Sequence, residues 1–499
     1  MASGQGNEVK LERSVGLISG IGLTMGTMIG SGIFASAPGV VQYSGSVGMS
    51  LIVWFISGLI ALLGAISYCE LCTMITKSGG EYQYLNQAYG PIPAFLFSWT
   101  AVIILRPAQA AAISLTFASY LVRAVTDAMG VEEGCDMVWA EKCFALAIIL
   151  IVAFVNVMSA KWGAYLQNVC LAAKLFAIAF IVVIGLIELA TGTTEHLSKG
   201  FENSETNPFT ISLAFYNALW AYDCWNTAVY GAEEMKDPQK NLPRALLIGI
   251  PLVMVCYLLT NLAYFTVLNT NELTSSLAVA ILLGEKTIPK WIQWIIPVCV
   301  CFSTLGATNG TMFGAARLTF AAAREGHLMT TLSFCDVNKK TPSTALYFLT
   351  FLSCVYVIPG DFSALLNYFS FAAWLFYGLT VFGVILMRFT QPDAERPIKV
   401  PIVIPAIFVL IAAYLVVAPL VNNFEWAYVG AAGFILLGLV VYYLPVVYCG
   451  YNCSFMTPLV KFFQYLFMVA PSTYNEVEDK TLELDDGKGK SSEKPEAEA

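Results

Sequence analysis

The chain has 499 residues, 58% of them hydrophobic and only 12% charged. Apolar surface on that scale cannot be hidden in a water-soluble core, so the composition excludes a soluble protein and defines a polytopic membrane protein. The formal net charge is -8, many of the acids sit in loops and in the polar stretch after Tyr474, and no basic nucleic-acid face is visible.

Met1 to Ser14 is a polar start leading straight into a full-length span, which predicts a first helix that is its own signal anchor, with no cleavable signal peptide. That first run, Val15 to Val41, carries Gly16, Gly20, Gly22, Gly26, Gly30 and Gly32, too much glycine for an ordinary span. Glycines on both sides of Ser31, within Thr27-Met28-Ile29-Gly30-Ser31-Gly32-Ile33-Phe34, let the backbone leave helical geometry at mid-membrane depth. The freed N–H and C=O groups must then face a polar ligand or a wet cavity. Close packing of small residues is the alternative reading of the same glycines.

Apolar runs predict twelve spans, near 15–41, 47–75, 92–124, 142–160, 162–190, 209–233, 242–268, 291–322, 342–358, 362–389, 402–421 and 425–448. An even number puts both termini on one side. Lys10, Arg13, Lys77, Lys161, Lys236, Lys240, Arg244, Arg324, Lys339, Lys340, Arg388, Arg396 and Lys399 share that side, against Arg123, Lys142, Lys199, Lys286 and Lys290 on the other. The positive-inside rule makes the richer side cytoplasmic. The expected division is a cytoplasmic tail at 1–14, a membrane domain at 15–448 and a second cytoplasmic tail at 449–499.

Between the second and third spans, Lys77-Ser78-Gly79-Gly80-Glu81-Tyr82 and then Tyr89-Gly90-Pro91 read as a short interrupted or re-entrant segment. Arg106-Pro107 in the third span either pairs with an acid or marks a kink. The acidic external loop Glu132-Glu133-Gly134-Cys135-Asp136 exposes a thiol to an oxidising compartment. Cys143 is one partner for it, and an intermolecular disulfide is the other. The remaining cysteines, including Cys69-x-x-Cys72 inside an apolar helix, read as small core residues; with only His196 and His327 in the chain, no zinc, haem or other cofactor is expected. Lys174 in the fifth span is a lone intramembrane cation, either functional or snorkelling.

The sixth span repeats the anomaly of the first. Phe215 to Asn226 places Asp223, the amides of Asn217 and Asn226, and the aromatics Trp220, Tyr222 and Trp225 at membrane depth. A charge there costs roughly 2.5 to 3.5 kcal/mol on insertion scales, so it is retained for a partner or a function. Interruptions in spans one and six are what an inverted repeat of five plus five helices produces. In span eight, Ser303, Thr304, Thr308, Asn309 and Thr311 either line a polar cavity or bond between helices. Tyr377 in span ten either covers a site or packs. The Asn-x-Ser/Thr sequons, at Asn309 and Asn452, fall in a span and in the tail, so no glycosylation is expected.

Gly30-Ser31-Gly32-Ile33-Phe34, Lys77-Ser-Gly-Gly-Glu81-Tyr82, Ala214-Phe-Tyr-Asn217, Trp220-Ala-Tyr-Asp223, Glu233-Glu234, Asn241-Leu-Pro-Arg244, Arg324-Glu-Gly326 and Pro397-Ile-Lys-Val-Pro401 resemble the light chains of heteromeric amino-acid transporters. The likeness covers about residues 13 to 470 and is nearest the b-zero-plus type exchangers of cationic and neutral amino acids and cystine. It implies an all-helical LeuT-like fold of the APC superfamily, sodium-independent obligatory exchange at the plasma membrane, and a single-span glycoprotein heavy chain bonded through the cysteine matching Cys135. It also implies that the substrate carboxylate meets unwound backbone at Ile29, Gly30, Ser31, Gly32 and Ile33, and that the amino group meets backbone at Trp220, Ala221 and Tyr222. The aspartate matching Asp223 marks cation-accepting members, and Lys174 matches a lysine that stands in for sodium. Asn226 and Tyr377 complete the expected site, with Trp220 as its gate.

One departure is visible: the glycine that usually follows the position of Asp223 is Cys224. Three rivals stand against exchange. A sodium-coupled symporter of this fold needs sodium where Lys174 sits. A cystine/glutamate exchanger is expected to lack the acid. A membrane enzyme or receptor needs clustered catalytic residues or a ligand domain, and neither is apparent.

Overall fold

Long apolar stretches with satisfied internal hydrogen bonds can only be helices in a bilayer, and the computed structural model is built of them. It describes residues 13, 15–129, 137–192, 194–275, 278–339, 341–359, 362–422, 426–443 and 469–471. Cys135, Asn452 and nearly all of both tails lie outside the described residues. In chain order the helices are α1 (Leu17–Met28), α2 (Gly32–Ala35), α3 (Ala37–Ser44), α4 (Val47–Met74), α5 (Glu81–Tyr89), α6 (Pro91–Thr100), α7 (Arg106–Met129), α8 (Val138–Met158), α9 (Ala160–Ala190), α10 (Glu195–Ser198) and α11 (Pro208–Tyr222). They continue as α12 (Thr227–Tyr230), α13 (Pro238–Val267), α14 (Thr270–Ser275), α15 (Val279–Thr287), α16 (Lys290–Gln293), α17 (Ile295–Arg324), α18 (Ser343–Val357), α19 (Phe362–Thr390), α20 (Val403–Asn422) and α21 (Trp426–Val441).

Among the described residues, nine helical stretches are long and apolar enough to cross a membrane, and Ser343–Val357 and Tyr428–Val441 are shorter apolar helices. The stretch expected as the sixth span exists as two pieces, α11 and α12, with an irregular turn between them. Large apolar side chains such as Leu150, Phe154, Val183, Val255 and Leu410 are exposed on the outer faces, as lipid contact requires.

One departure from an all-helical chain is a small antiparallel pair, β1 (Phe334–Asp336) with β2 (Val469–Pro471). It ties the loop after α17 to the segment beyond the last helix. Between α6 and α7 a π-helical turn, Ala101–Leu105, precedes Arg106-Pro107. Pro107 has no N–H for the preceding turn, and the helix widens there without ending.

Several of the basic residues expected on the cytoplasmic side are held by acids from distant parts of the chain. Ser78 N–H donates to Glu233 (2.9 Å), Arg324 donates to Glu233 (2.8 Å), and Val15 pairs with Met235 through backbone bonds. Arg317 makes a bidentate pair with Glu234 (2.6 and 3.1 Å), both buried. Arg388 and Arg396 both reach Glu70, whose carboxylate also accepts the Val400 N–H at 2.9 Å. On the opposite face Arg123 meets Glu285 (3.3 Å) and Lys286 meets Glu272 (2.6 Å).

Candidate functional site

The α1 helix stops at Met28, and Ile29 takes φ -72° and ψ 84° before the chain re-enters a helix at Gly32. A continuing helix would give the Gly26 carbonyl to the Gly30 amide. Here Lys174, fully buried on α9, donates to that carbonyl instead. Among the described residues no group accepts from the amides of Gly30, Ser31, Gly32 or Ile33. Unpaired donors gathered at the head of a resumed helix suit a carboxylate.

The second break lies alongside. Asp223 is extended (φ -63°, ψ 169°), Cys224 is left-handed (φ 64°), and α12 begins at Thr227. The two breaks touch directly: a methyl group on Gly32 would lie 2.3 Å from the Ala221 Cα. The freed carbonyls are satisfied from neighbouring helices. Tyr257 on α13 places its hydroxyl 2.6 Å from the Met28 carbonyl and 2.8 Å from that of Ala221, so one side chain serves both helix ends. Ser303 on α17 donates to the Ile29 carbonyl (3.2 Å), and Thr227 donates to that of Cys224 (2.8 Å).

Between the breaks is a cavity lined by Thr27, Met28, Gly30, Ser31, Gly32, Gln109, Ile113, Trp220, Asp223 and Cys224. It has room for about one water. An amino acid enters only if side chains withdraw. Trp220, which lines the cavity, packs edge-on against Phe369, with ring centroids 5.1 Å apart. Asp223 accepts from Gln109 at 2.5 Å through Oδ2 and from the Tyr377 hydroxyl at 2.7 Å through Oδ1.

Of the residues expected from the sequence, Gly30, Ser31, Gly32, Trp220 and Asp223 line this cavity, and Tyr377 reaches it through Asp223. Ile29 and Ile33 are fully buried in the core, and Ala221 contributes its carbonyl to Tyr257. Tyr222 packs on Trp54 and Tyr257, and Asn226 donates to the buried Glu81; neither lines the cavity. Cys135 lies outside the described residues, while Cys143 is exposed near the start of α8. In span eight, Asn309 binds the Gly163 carbonyl and Gln167, both at 3.0 Å, and accepts from Asn156 (2.8 Å), so it bonds between helices. The glycines of α1 carry both readings: Gly22 and Gly26 are pressed against Asn168 and Gln167, while Gly30 and Gly32 flank the break.

Sequence reasoning passed over Gln109, Ile113 and Tyr257. Gln109 has one visible signal, its place one turn after Arg106 beside an alanine run; Ile113 and Tyr257 have none.

Two broken apolar helices that turn unpaired amides and one carboxylate toward a shared internal cavity define a membrane carrier for a small zwitterionic or charged solute. Comparison with known proteins gives the class a family. Residues 15–463 match the amino acid permease family, and the chain belongs to it. It is 47% identical over 463 residues to the mouse b(0,+)-type amino acid transporter 1, covering 92% of this chain and 94% of that protein. The human protein of the same name is 47% identical over 462 residues, with the same coverage. The mouse large neutral amino acids transporter small subunit 2 is 39% identical over 448 residues, 89% of this chain and 83% of that protein. The likeness drawn from the motifs to transporter light chains is borne out by these relatives, and the protein is a transporter rather than an enzyme.

Proposed function

We propose that this protein is a sodium-independent antiporter that exchanges cationic and large neutral amino acids, cystine among the candidates, across the plasma membrane by alternating access. The observation that carries the reading is the carboxylate of Asp223 beside the unpaired amides of Gly30 to Ile33, a pairing that offers one partner to each charged end of a basic amino acid. The b(0,+)-type relatives at 47% identity support it.

On this reading the chain crosses the membrane twelve times in a LeuT-like arrangement, with α1–α2 and α11–α12 as equivalent broken members of a five-plus-five repeat. Both tails are cytoplasmic. The substrate carboxylate binds the amides at Gly30 to Ile33, the amino group binds carbonyls near Trp220 to Tyr222, and Asp223 receives a basic side chain. Lys174 occupies the place of a coupling cation, bonded to Gly26 at the break. A single-span glycoprotein heavy chain is joined through Cys135.

The test is uptake of labelled arginine and labelled leucine into sodium-free proteoliposomes, with and without amino acid loaded inside. Uptake of both that depends on preloading is the expected result. Asp223→Asn is expected to lower arginine exchange at least about tenfold while leaving leucine within about threefold, since it removes one charge-assisted bond. Uptake that requires sodium and ignores preloading overturns the reading in favour of a symporter.

A further inference from the structure

Asp223 is 7% exposed, yet the groups that donate to its two oxygens are neutral: the amide of Gln109 and, at 3.6 Å, the Cys224 thiol on Oδ2, and the hydroxyl of Tyr377 on Oδ1. Gln109 is held at its other end. Its Oε1 accepts from Arg106 at 3.0 Å, which turns the amide so that its NH2 faces Asp223. Arg106 is anchored in turn by the Tyr230 hydroxyl at 2.5 Å and by the Tyr230 ring, 5.1 Å from the guanidinium. Arg106 therefore aligns an amide dipole on the carboxylate without contacting it. Gln109 and Asp223 line the cavity and Arg106 does not.

We propose that Gln109 is an internal substitute for a substrate's cationic side chain and sets the balance between neutral and basic substrates. This rests on the exchange reading above. When the bound side chain is neutral, the amide keeps a buried carboxylate hydrogen-bonded, which spares the penalty of an unpaired buried charge. When the side chain is basic, it takes an Asp223 oxygen and Gln109 gives way. Arg106 and Tyr230 act as positioning residues, because they fix which end of the amide meets Asp223.

The test compares wild type with Gln109→Leu, of similar size, and Gln109→Ser, a smaller change, in sodium-free proteoliposomes. Labelled arginine and labelled leucine are measured in the same vesicles, so their kcat/KM ratio is independent of how much protein folds. The arginine-to-leucine ratio is expected to rise about tenfold in both variants, mainly through stronger arginine exchange, because Gln109 holds Asp223 before either substrate binds and only the basic one has to displace it, the worth of one hydrogen bond to a charged group. In the Asp223→Asn background the same substitutions are expected to leave the arginine-to-leucine ratio nearly unchanged, because no charge remains for a basic side chain to claim. An equal fall, or complete loss, for both substrates makes Gln109 a packing residue and overturns the proposal, as does a change in the ratio that persists undiminished in the Asp223→Asn background. Failure of the underlying exchange reading shows separately, in the wild type, as leucine carried without arginine.

Discussion

At the scale of single residues, the site depends on groups that satisfy what the broken helices leave open. Tyr257 is the clearest, since its hydroxyl lies within hydrogen-bond distance of carbonyls from both breaks. Tyr257→Phe keeps the ring against Trp54 and Tyr222 but leaves two buried carbonyls without that donor. The expected cost is about 1 to 3 kcal/mol, read as a lower unfolding temperature of the detergent-solubilised protein. Asp223 was legible in the sequence because a carboxylate inside an apolar run is conspicuous. Gln109 and Tyr257 were not, because an amide or phenol on a helix face is unremarkable until the fold supplies its partner. Gln109 meets an acid 114 positions away in the chain, and Tyr257 meets a carbonyl 229 positions away.

At the scale of elements, the two breaks have different local causes. The first follows from glycine and from Lys174, which removes the carbonyl that would have continued α1. The second needs a left-handed residue, and Cys224 supplies it at φ 64°, at the position where the resemblance leads one to expect glycine. An L-residue in that region costs about 1 to 2 kcal/mol, so the turn is retained under strain. Cys224→Gly is expected to fold and to keep exchange, whereas Cys224→Val, branched at Cβ, is expected to lose at least about tenfold of it at unchanged surface amount. Counterflow per molecule, with labelling of intact cells for quantity, separates the two outcomes. Both breaks could be read ahead from the glycine run and the intramembrane acid. The π-helical turn before Pro107 could not, since a proline in a span equally allows a kink.

At the scale of the whole molecule, one face of the bundle is closed by ion pairs between distant parts of the chain. Arg317 and Glu234 are a buried bidentate pair joining α17 to the segment after α12, and removing either leaves the other charge alone. Arg317→Met is expected to destabilise by about 3 to 5 kcal/mol, and the double variant Arg317→Met/Glu234→Leu to recover most of that loss in a thermal-unfolding cycle. The same face carries His327, buried against Phe95 and Tyr442, with Nδ1 2.8 Å from the Tyr82 hydroxyl. Burial holds its pKa below the usual histidine value, against a smaller opposing pull from Glu325. The unfolded chain then takes up a proton as pH falls through about 6.5 while the folded chain resists it, so stability declines on acidification below that point. His327→Gln is expected to flatten that decline between about pH 6.5 and the folded value, measured as unfolding temperature against pH. The membrane class, the broken spans and the sharing of a face by basic residues all follow from hydropathy and charge. Which acid meets which base does not, because that pairing exists only once the helices are side by side.

The shared Tyr257 hydroxyl has a consequence for stereochemistry. It fastens the end of α1 to the end of α11, so on the proposed reading the amides that meet a substrate's carboxylate and the carbonyls that meet its amino group lie at one separation. That separation is a ruler one carbon long. A β-amino acid, with an extra methylene between its two ends, is rejected by the same measure whichever way the protein faces, and selectivity for the α-amino acid backbone becomes a property of the tether rather than of either gate.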